Sequence, residues 1–309
     1  MPANVESMFY VRTAPWHGLG TMVKEAPTSE EAIRHAGLDW KVVQKDLTTD
    51  DGILVPGFKA NVRDLDAQIL GIVTDRYKVV QNEEAFSFTD ELLGKGVTYE
   101  TAGAIQNGRR VWILAKLPQH YIISGDEIAP YMVFSNAHDG SGAIKVAMTP
   151  IRVVCQNTLN FALKTAKRSW SVNHVGDISG KLEDARNTLL FADKYMSELG
   201  KSIDNLHHRK LSDREVTEFT QILFPMPLDP TPLQKKNVNQ SREGVLARYH
   251  DAPDLKGVGR NGYRFVNAVS DFATHAKPQR ERSNYREALF AKTVDGNSLI
   301  DKAYELVAA

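Results

Sequence analysis

Cysteine is almost missing from this chain. Cys155 stands alone among 309 residues, which rules out an internal disulfide and a cysteine-based structural zinc site. Long apolar runs are missing too, so no segment has the composition of a bilayer-spanning helix, and Met1 to Arg12 lacks the apolar core of a signal peptide. A cytoplasmic protein with no membrane partner is expected. There is no phosphate-binding P-loop, which excludes ATP-dependent chemistry of that kind. Net charge is also absent, because 38 Lys and Arg cancel 38 Asp and Glu.

That balance does not hold locally. The window from Gly140 to Gly176 has no Asp or Glu at all, yet contains Lys145, Arg152, Lys164, Lys167 and Arg168. A generic solvated surface mixes both signs, so an acid-free window is where an anion such as a phosphate backbone would be gripped. A second basic stretch runs from Lys235 to Arg264 and includes Lys236, Arg242, Arg248 and Arg260. Its Gly, Asn and Gln content suggests an arm that orders on a polyanion or on a neighbouring subunit.

The pattern along the chain predicts strands first and helices later. Thr28 to Ala36 reads as a capped helix, with Glu30 and Glu31 in its first turn and Gly37 after it. Ile53 to Asn61 and Gln68 to Asp75 read as paired strands, and Asn82 to Leu93 as a helix stopped by Gly94. Val97 to Ile105 and Arg109 to Leu117 flank Asn107-Gly108, a strong hairpin signal. A third hairpin pairs Tyr131 to Asn136 with Ala143 to Met148. Helices are expected over Thr158 to Arg168, Ser179 to Leu206, Asp213 to Leu223, Tyr263 to His275 and Ser298 to Val307. The fold class that follows is α+β: an antiparallel hairpin sheet packed with helices, then a helix-rich C-terminal half. The expected division is a core with its basic helix at 1–176, a helical segment at 177–224, a Pro-rich linker at 225–232 and a basic helical region at 233–309.

On a helical wheel of about 100° per residue, Leu159, Ala162, Leu163 and Ala166 form a narrow apolar face. Asn157, Asn160, Lys164, Lys167 and Arg168 gather on the opposite side, with Phe161 at its edge and Trp170 just beyond. Cations neutralise phosphates, amides hydrogen-bond backbone or bases, and aromatic faces stack bases without regard to sequence. Lys145, Arg152, Arg109 and Arg110 extend the candidate surface. The competing interpretation is an ordinary solvated helix face with Phe161 and Trp170 in the core.

Catalytic patterns are weak. Cys155 with His138 and Asp139 has the residue types of a thiol nucleophile, base and orienter, but Cys155 ends an apolar run where cysteine is usually a small buried hydrophobe. His207-His208 and Trp16-His17 lack metal-ligand spacing. Gly257 to Gly262 mimics a dinucleotide fingerprint but follows no strand. Asp46, Asp50, Asp51, Asp64 and Asp66 sit around turns, where Asp serves the backbone. No enzyme activity, cofactor or metal is expected.

Four stretches carry a family resemblance: Trp16-His17-Gly18-Leu19-Gly20, Asp75 to Asn82, Asn107 to Trp112, and Arg152 to Asn160. Together with Asn267 to Phe272 and His275, they resemble the phage/plasmid-like proteins classed as domain of unknown function 932. The resemblance implies an origin in a phage, prophage or plasmid, working inside a host cell, and implies no activity. Hairpins followed by a basic helix are also similar in architecture to phage single-strand annealing proteins, which form rings or filaments on DNA. The expectation is therefore a homo-oligomeric single-stranded DNA binding or annealing protein. A protein-interaction factor for counter-defence or host takeover is the alternative.

Overall fold

The computed structural model describes residues 5–11, 21–25, 27–93, 98–117, 121–123, 125–152, 157–158, 169–176, 192–276 and 297–309. The chain divides into two compact units. One comprises residues 1–118, 131–148 and 168–192, the other 119–130, 149–167 and 193–309. The expected α+β class is borne out, with sheet in the first part and helices concentrated in the second.

In the larger sheet β1 (Val5–Val11), β2 (Thr21–Val23), β6 (Thr98–Ile105), β7 (Arg110–Lys116), β9 (Asp126–Ala137) and β10 (Ile144–Arg152) are neighbours in the order β10-β9-β7-β6-β1-β2, with residues 131–137 of β9 and 144–148 of β10 in the first unit. A short strand, β12 (Ser169–Val172), pairs with β10. The β1–β2 pair is parallel, whereas β1–β6, β6–β7, β7–β9 and β10–β12 are antiparallel. A separate antiparallel sheet is made of β3 (Val42–Thr48), β4 (Leu54–Arg63) and β5 (Ile69–Thr74).

Strand alternation builds the core. Phe9 and Val11, Ala102 and Ala104, Val111 and Ile113, Met132 and Phe134, and Ile144 and Val146 all join one apolar cluster. Residues two apart on a strand share a face, so these pairs mark one side of the sheet. Helices α1 (Ser29–His35) and α2 (Asn82–Leu93) contribute Ala32, Ala85 and Phe86 to it. The capping box expected at Thr28 is present: Glu31 N donates to its hydroxyl at 3.3 Å, and Thr28 N donates to Glu31 Oε2 at 2.9 Å. In the β6–β7 hairpin Gln106, Asn107 and Gly108 are all left-handed, with φ of 58°, 57° and 82°. The loop is thus four residues long, because Ile105 pairs with Arg110.

In the second unit α3 (Ala192–His208), α4 (Asp213–Leu223), α5 (Pro232–Asp251), α6 (Gly262–His275) and α7 (Ser298–Ala308) accompany the short strands β8 (Tyr121–Ile123) and β11 (Asn157–Thr158). Helix α6 is buried from Gly262 to Ser270. Gly262 is required there, since a Cβ would lie 2.2 Å from Val307 Cγ1 on α7.

Two sequence expectations change. The stretch from Lys235 to Tyr249, expected as an ordering arm, is a 20-residue helix capped by Thr231 and opened by Pro232. Pro225, Pro227 and Pro230 lie between α4 and α5, and Pro232 opens α5. Thr158, expected to open a helix, lies instead in the strand β11, and a further strand, β12, follows at Ser169–Val172. The Trp16–Gly20 motif, Cys155, the basic helix over 159–168 and residues 179–191 of the next helix lie outside the described residues.

Candidate functional site

Of the predicted nucleic-acid residues, Asn160, Phe161, Lys164, Lys167 and Arg168 lie outside the described residues. Arg152 and Asn157 are brought together as paired positions of β10 and β11. Lys145 pairs in register with Ser171, and Val146 with Trp170. Residues 144–147 and 169–172 of the acid-free window thus pair as neighbouring strands. Trp170 is half-buried and packs against the core cluster. By alternation, Lys145 and Arg110 sit on the sheet face opposite that cluster, and both are half-buried. Arg109 is exposed at the β6–β7 turn.

Most of the second basic stretch is committed to structure. Arg264 is 9 % exposed and donates to four backbone carbonyls: Tyr249, Leu255, Val258 and His250. Its guanidinium also lies 5.4 Å from the Tyr249 ring centroid. In this way one cation satisfies the carbonyls left over at the end of α5 and the following turn. Arg242 donates twice to Phe224 O at 3.0 and 2.7 Å, Arg248 pairs with Asp271, and Arg260 pairs with Asp213 at 2.9 Å. Lys235 and Lys236 remain exposed on the first turns of α5, in a run from Pro230 to Arg242 without an acid.

The densest polar chemistry of the first unit is one the sequence hid. His138 is fully buried, with Nε2 3.0 Å from Asn82 Oδ1 and its ring edge-on to Trp40 at 5.4 Å. Burial, reinforced by His174, pushes its pKa down to about 3, so it is neutral in ordinary buffers. His174 stacks on Tyr77 at 4.4 Å and 14°, and its Nδ1 lies 2.8 Å from Lys78 O. Burial lowers its pKa as well. The Tyr77 hydroxyl, pushed up by burial and by Asp139, donates to Ala137 O at 2.7 Å. Asn61 donates to His138 O at 2.6 Å and Asn136 to Val80 O at 3.0 Å. A fully buried imidazole cannot serve a substrate from solvent, so the His138 base reading has no support in this geometry. Adjacent to the cluster, Arg63 binds Glu6 at 2.7 Å and Asp66 at 2.6 Å while lying over Trp40.

A cleft of about 270 Å³ opens beside this region, floored by Ile33, Trp40 and Phe86 and rimmed by Glu30, Asp39 and Glu83. Its rim is acidic, so it does not suit a phosphate. Among the described residues no group of three or more His, Cys, Asp or Glu is placed to share a metal, and no helix is long and apolar enough to cross a membrane.

Residues 69–294 match the family described as domain of unknown function (DUF932). No curated protein and no solved structure matches the chain. The matched region covers most of the chain, and the chain belongs to this family.

Proposed function

We propose that this member of the DUF932 family is a nucleic-acid-binding protein of a phage or other mobile element, binding and annealing single-stranded DNA without ATP in the host cytoplasm. The observation that carries the reading is the acid-free window, whose five cations occur without one carboxylate and whose ends are joined by the β10–β12 pairing. Counterion release from phosphates favours such a surface, and no nearby acid in the window opposes it. Lys164, Lys167 and Arg168 contact phosphates, Asn157 and Asn160 hydrogen-bond backbone or bases, and Phe161 provides a stacking face. Arg109, Arg110, Lys145 and Arg152 supplement the charge. The second basic stretch contributes less than its composition suggests, because its arginines are engaged, while Lys235 and Lys236 are exposed on α5. Assembly into a ring or filament places several such windows along one strand.

The test is fluorescence anisotropy with labelled single-stranded DNA, duplex and RNA. Wild type is expected to bind single strands, and the triple variant Lys164→Glu, Lys167→Glu, Arg168→Glu to lose binding with an unchanged circular dichroism spectrum. A folded triple variant that binds as tightly as wild type would remove the window from the account.

One observation favours a second reading, a protein-interaction factor. On the β3–β4–β5 sheet Val43, Phe58, Ile69 and Ile72 share the face of Ala60 and Val62, and all four are exposed. An apolar sheet face left in water is a usual mark of a protein contact. A partner that binds this face, with no nucleic acid bound under any condition, would establish this reading over the first.

A further inference from the structure

Three buried side chains of the first unit present acceptors that nothing among the described residues satisfies: Asn136 Oδ1, His138 Nδ1 and His174 Nε2. None of these residues is more than 3 % exposed. Asn136 and His138 are two apart at the end of β9 and lie on one side of it, because His138 N still donates to Arg109 O at 2.7 Å and so prolongs the β7–β9 ladder. His174 lies flat on Tyr77, whose hydroxyl reaches Ala137 O, the residue between them. The connection from β5 to α2 grips all three. Lys78 O faces His174 Nδ1, Val80 O accepts from Asn136 Nδ2, and Asn82 Oδ1 faces His138 Nε2.

Those partners set the tautomers. Lys78 O is a carbonyl and only accepts, so His174 carries its proton on Nδ1 and leaves Nε2 as a bare lone pair. Asn82 Nδ2 donates to Leu38 O at 3.0 Å, which orients its Oδ1 as the acceptor for His138. His138 therefore carries its proton on Nε2 and leaves Nδ1 bare. Asn136 spends its donor on Val80 O, so its free atom is oxygen. All three unsatisfied atoms are acceptors, and burial of three such atoms without a donor is costly. One water has two hydrogens for three acceptors. A cation held among them would satisfy all three. Moreover, an imidazole whose second N–H is held by an oxygen is the arrangement found at metal-ligating histidines.

We propose that Asn136 Oδ1, His138 Nδ1 and His174 Nε2 form a binding site for one divalent transition-metal cation of the zinc type. Two imidazole nitrogens and an amide oxygen make a borderline N₂O donor set suited to such ions, with a water completing four-coordination. Asp139, whose charge reaches Tyr77, supplies nearby negative charge. The ion is structural: it ties β9, the segment after β12 and the β5–α2 connection together, independently of whether the protein binds nucleic acid.

The experiment is zinc or cobalt loading during refolding of the full chain, followed by exhaustive dialysis and metal analysis. The expected result is about one metal per chain, a thermal midpoint higher with zinc than with chelator, and a nitrogen/oxygen shell at about 2.0–2.1 Å by X-ray absorption. The double variant His138→Ala, His174→Ala should retain none. Should that variant fail to fold, Asn136→Asp decides, since a carboxylate of the same shape should tighten cobalt binding tenfold or more. Folded wild type that retains no metal, melts identically with zinc and with chelator, and gains nothing from Asn136→Asp would overturn the site and leave the acceptors to water.

Discussion

At the scale of single residues, the structure separates cations that hold the fold from those free to meet a ligand. Arg264 belongs to the first kind. Its four carbonyl partners and its position over Tyr249 leave no donor geometry that a lysine could reproduce. Arg264→Lys should lower unfolding free energy by about 2–4 kcal/mol in urea titrations, given that buried charged hydrogen bonds are at stake. Gly71 offers a backbone counterpart. A Cβ there would sit 2.5 Å from Asp139 Cα, so Gly71→Ala must displace the β9–β10 turn and should cost roughly 1–3 kcal/mol by overpacking. Asp66 gives a pH prediction. Arg63 holds its carboxyl down at about 2 against an ordinary value of 3.8. A depressed acid stabilises above its unfolded pKa and loses that contribution as pH falls through its folded one. Wild type should accordingly exceed Asp66→Asn in stability at pH 5, and the gap should close between about pH 4 and pH 2. Thermal melts across that range measure it.

At the scale of elements, what could be read in the sequence followed the strength of local signals. Helix α4 was legible because Ser212 and Glu215 form a capping box in front of an amphipathic repeat. Ser212→Ala should cost about 1 kcal/mol, read from the shift of the urea midpoint. The β6–β7 hairpin was legible through Asn107-Gly108, although its loop is longer than a two-residue turn because Gln106 is left-handed too. Helix α5 was missed for a physical reason: it is polar nearly all round, burying only Val245 and Tyr249, so no periodicity announces it. Strand β3 was missed because Gln44, Lys45 and Asp46 interrupt its apolar pattern on an edge strand that keeps one face in water. The buried cluster had no sequence signal. Tyr77 and Asn82 lie in a stretch that carries family resemblance, but His138 and His174 are separated by 35 residues, and the chain reaches His174 only after β12 has returned to β10. The candidate DNA surface was legible as charge, not as shape. Its window of missing acids is a property of composition, and the strand pairing adds that its two ends adjoin.

At the scale of the whole molecule, neutrality is a sum of opposing segments. Residues 1–139 are net −6 and residues 233–292 net +6, yet Arg242, Arg248, Arg260 and Arg264 of the latter are spent on carbonyls and carboxylates of their own unit. Basic composition alone would thus overstate the C-terminal region as a ligand surface and leaves residues 140–176 as the stronger claim. The exposed apolar face of the β3–β4–β5 sheet is the other large-scale feature in need of a partner. Ile72→Lys should leave strand binding unchanged and weaken any association through that face, a contrast that sedimentation with and without DNA resolves. The central claim rests on phosphates meeting the acid-free window. Its most direct test is the dependence of the single-strand binding constant on salt. For single strands the log–log slope is about −0.7 per phosphate neutralised, so three window cations give about −2 and all five about −3.5. The account predicts a slope in that range for wild type, shallower for each Lys164, Lys167 or Arg168 replaced by Ala. Binding that ignores salt, or no binding at low salt, would contradict it.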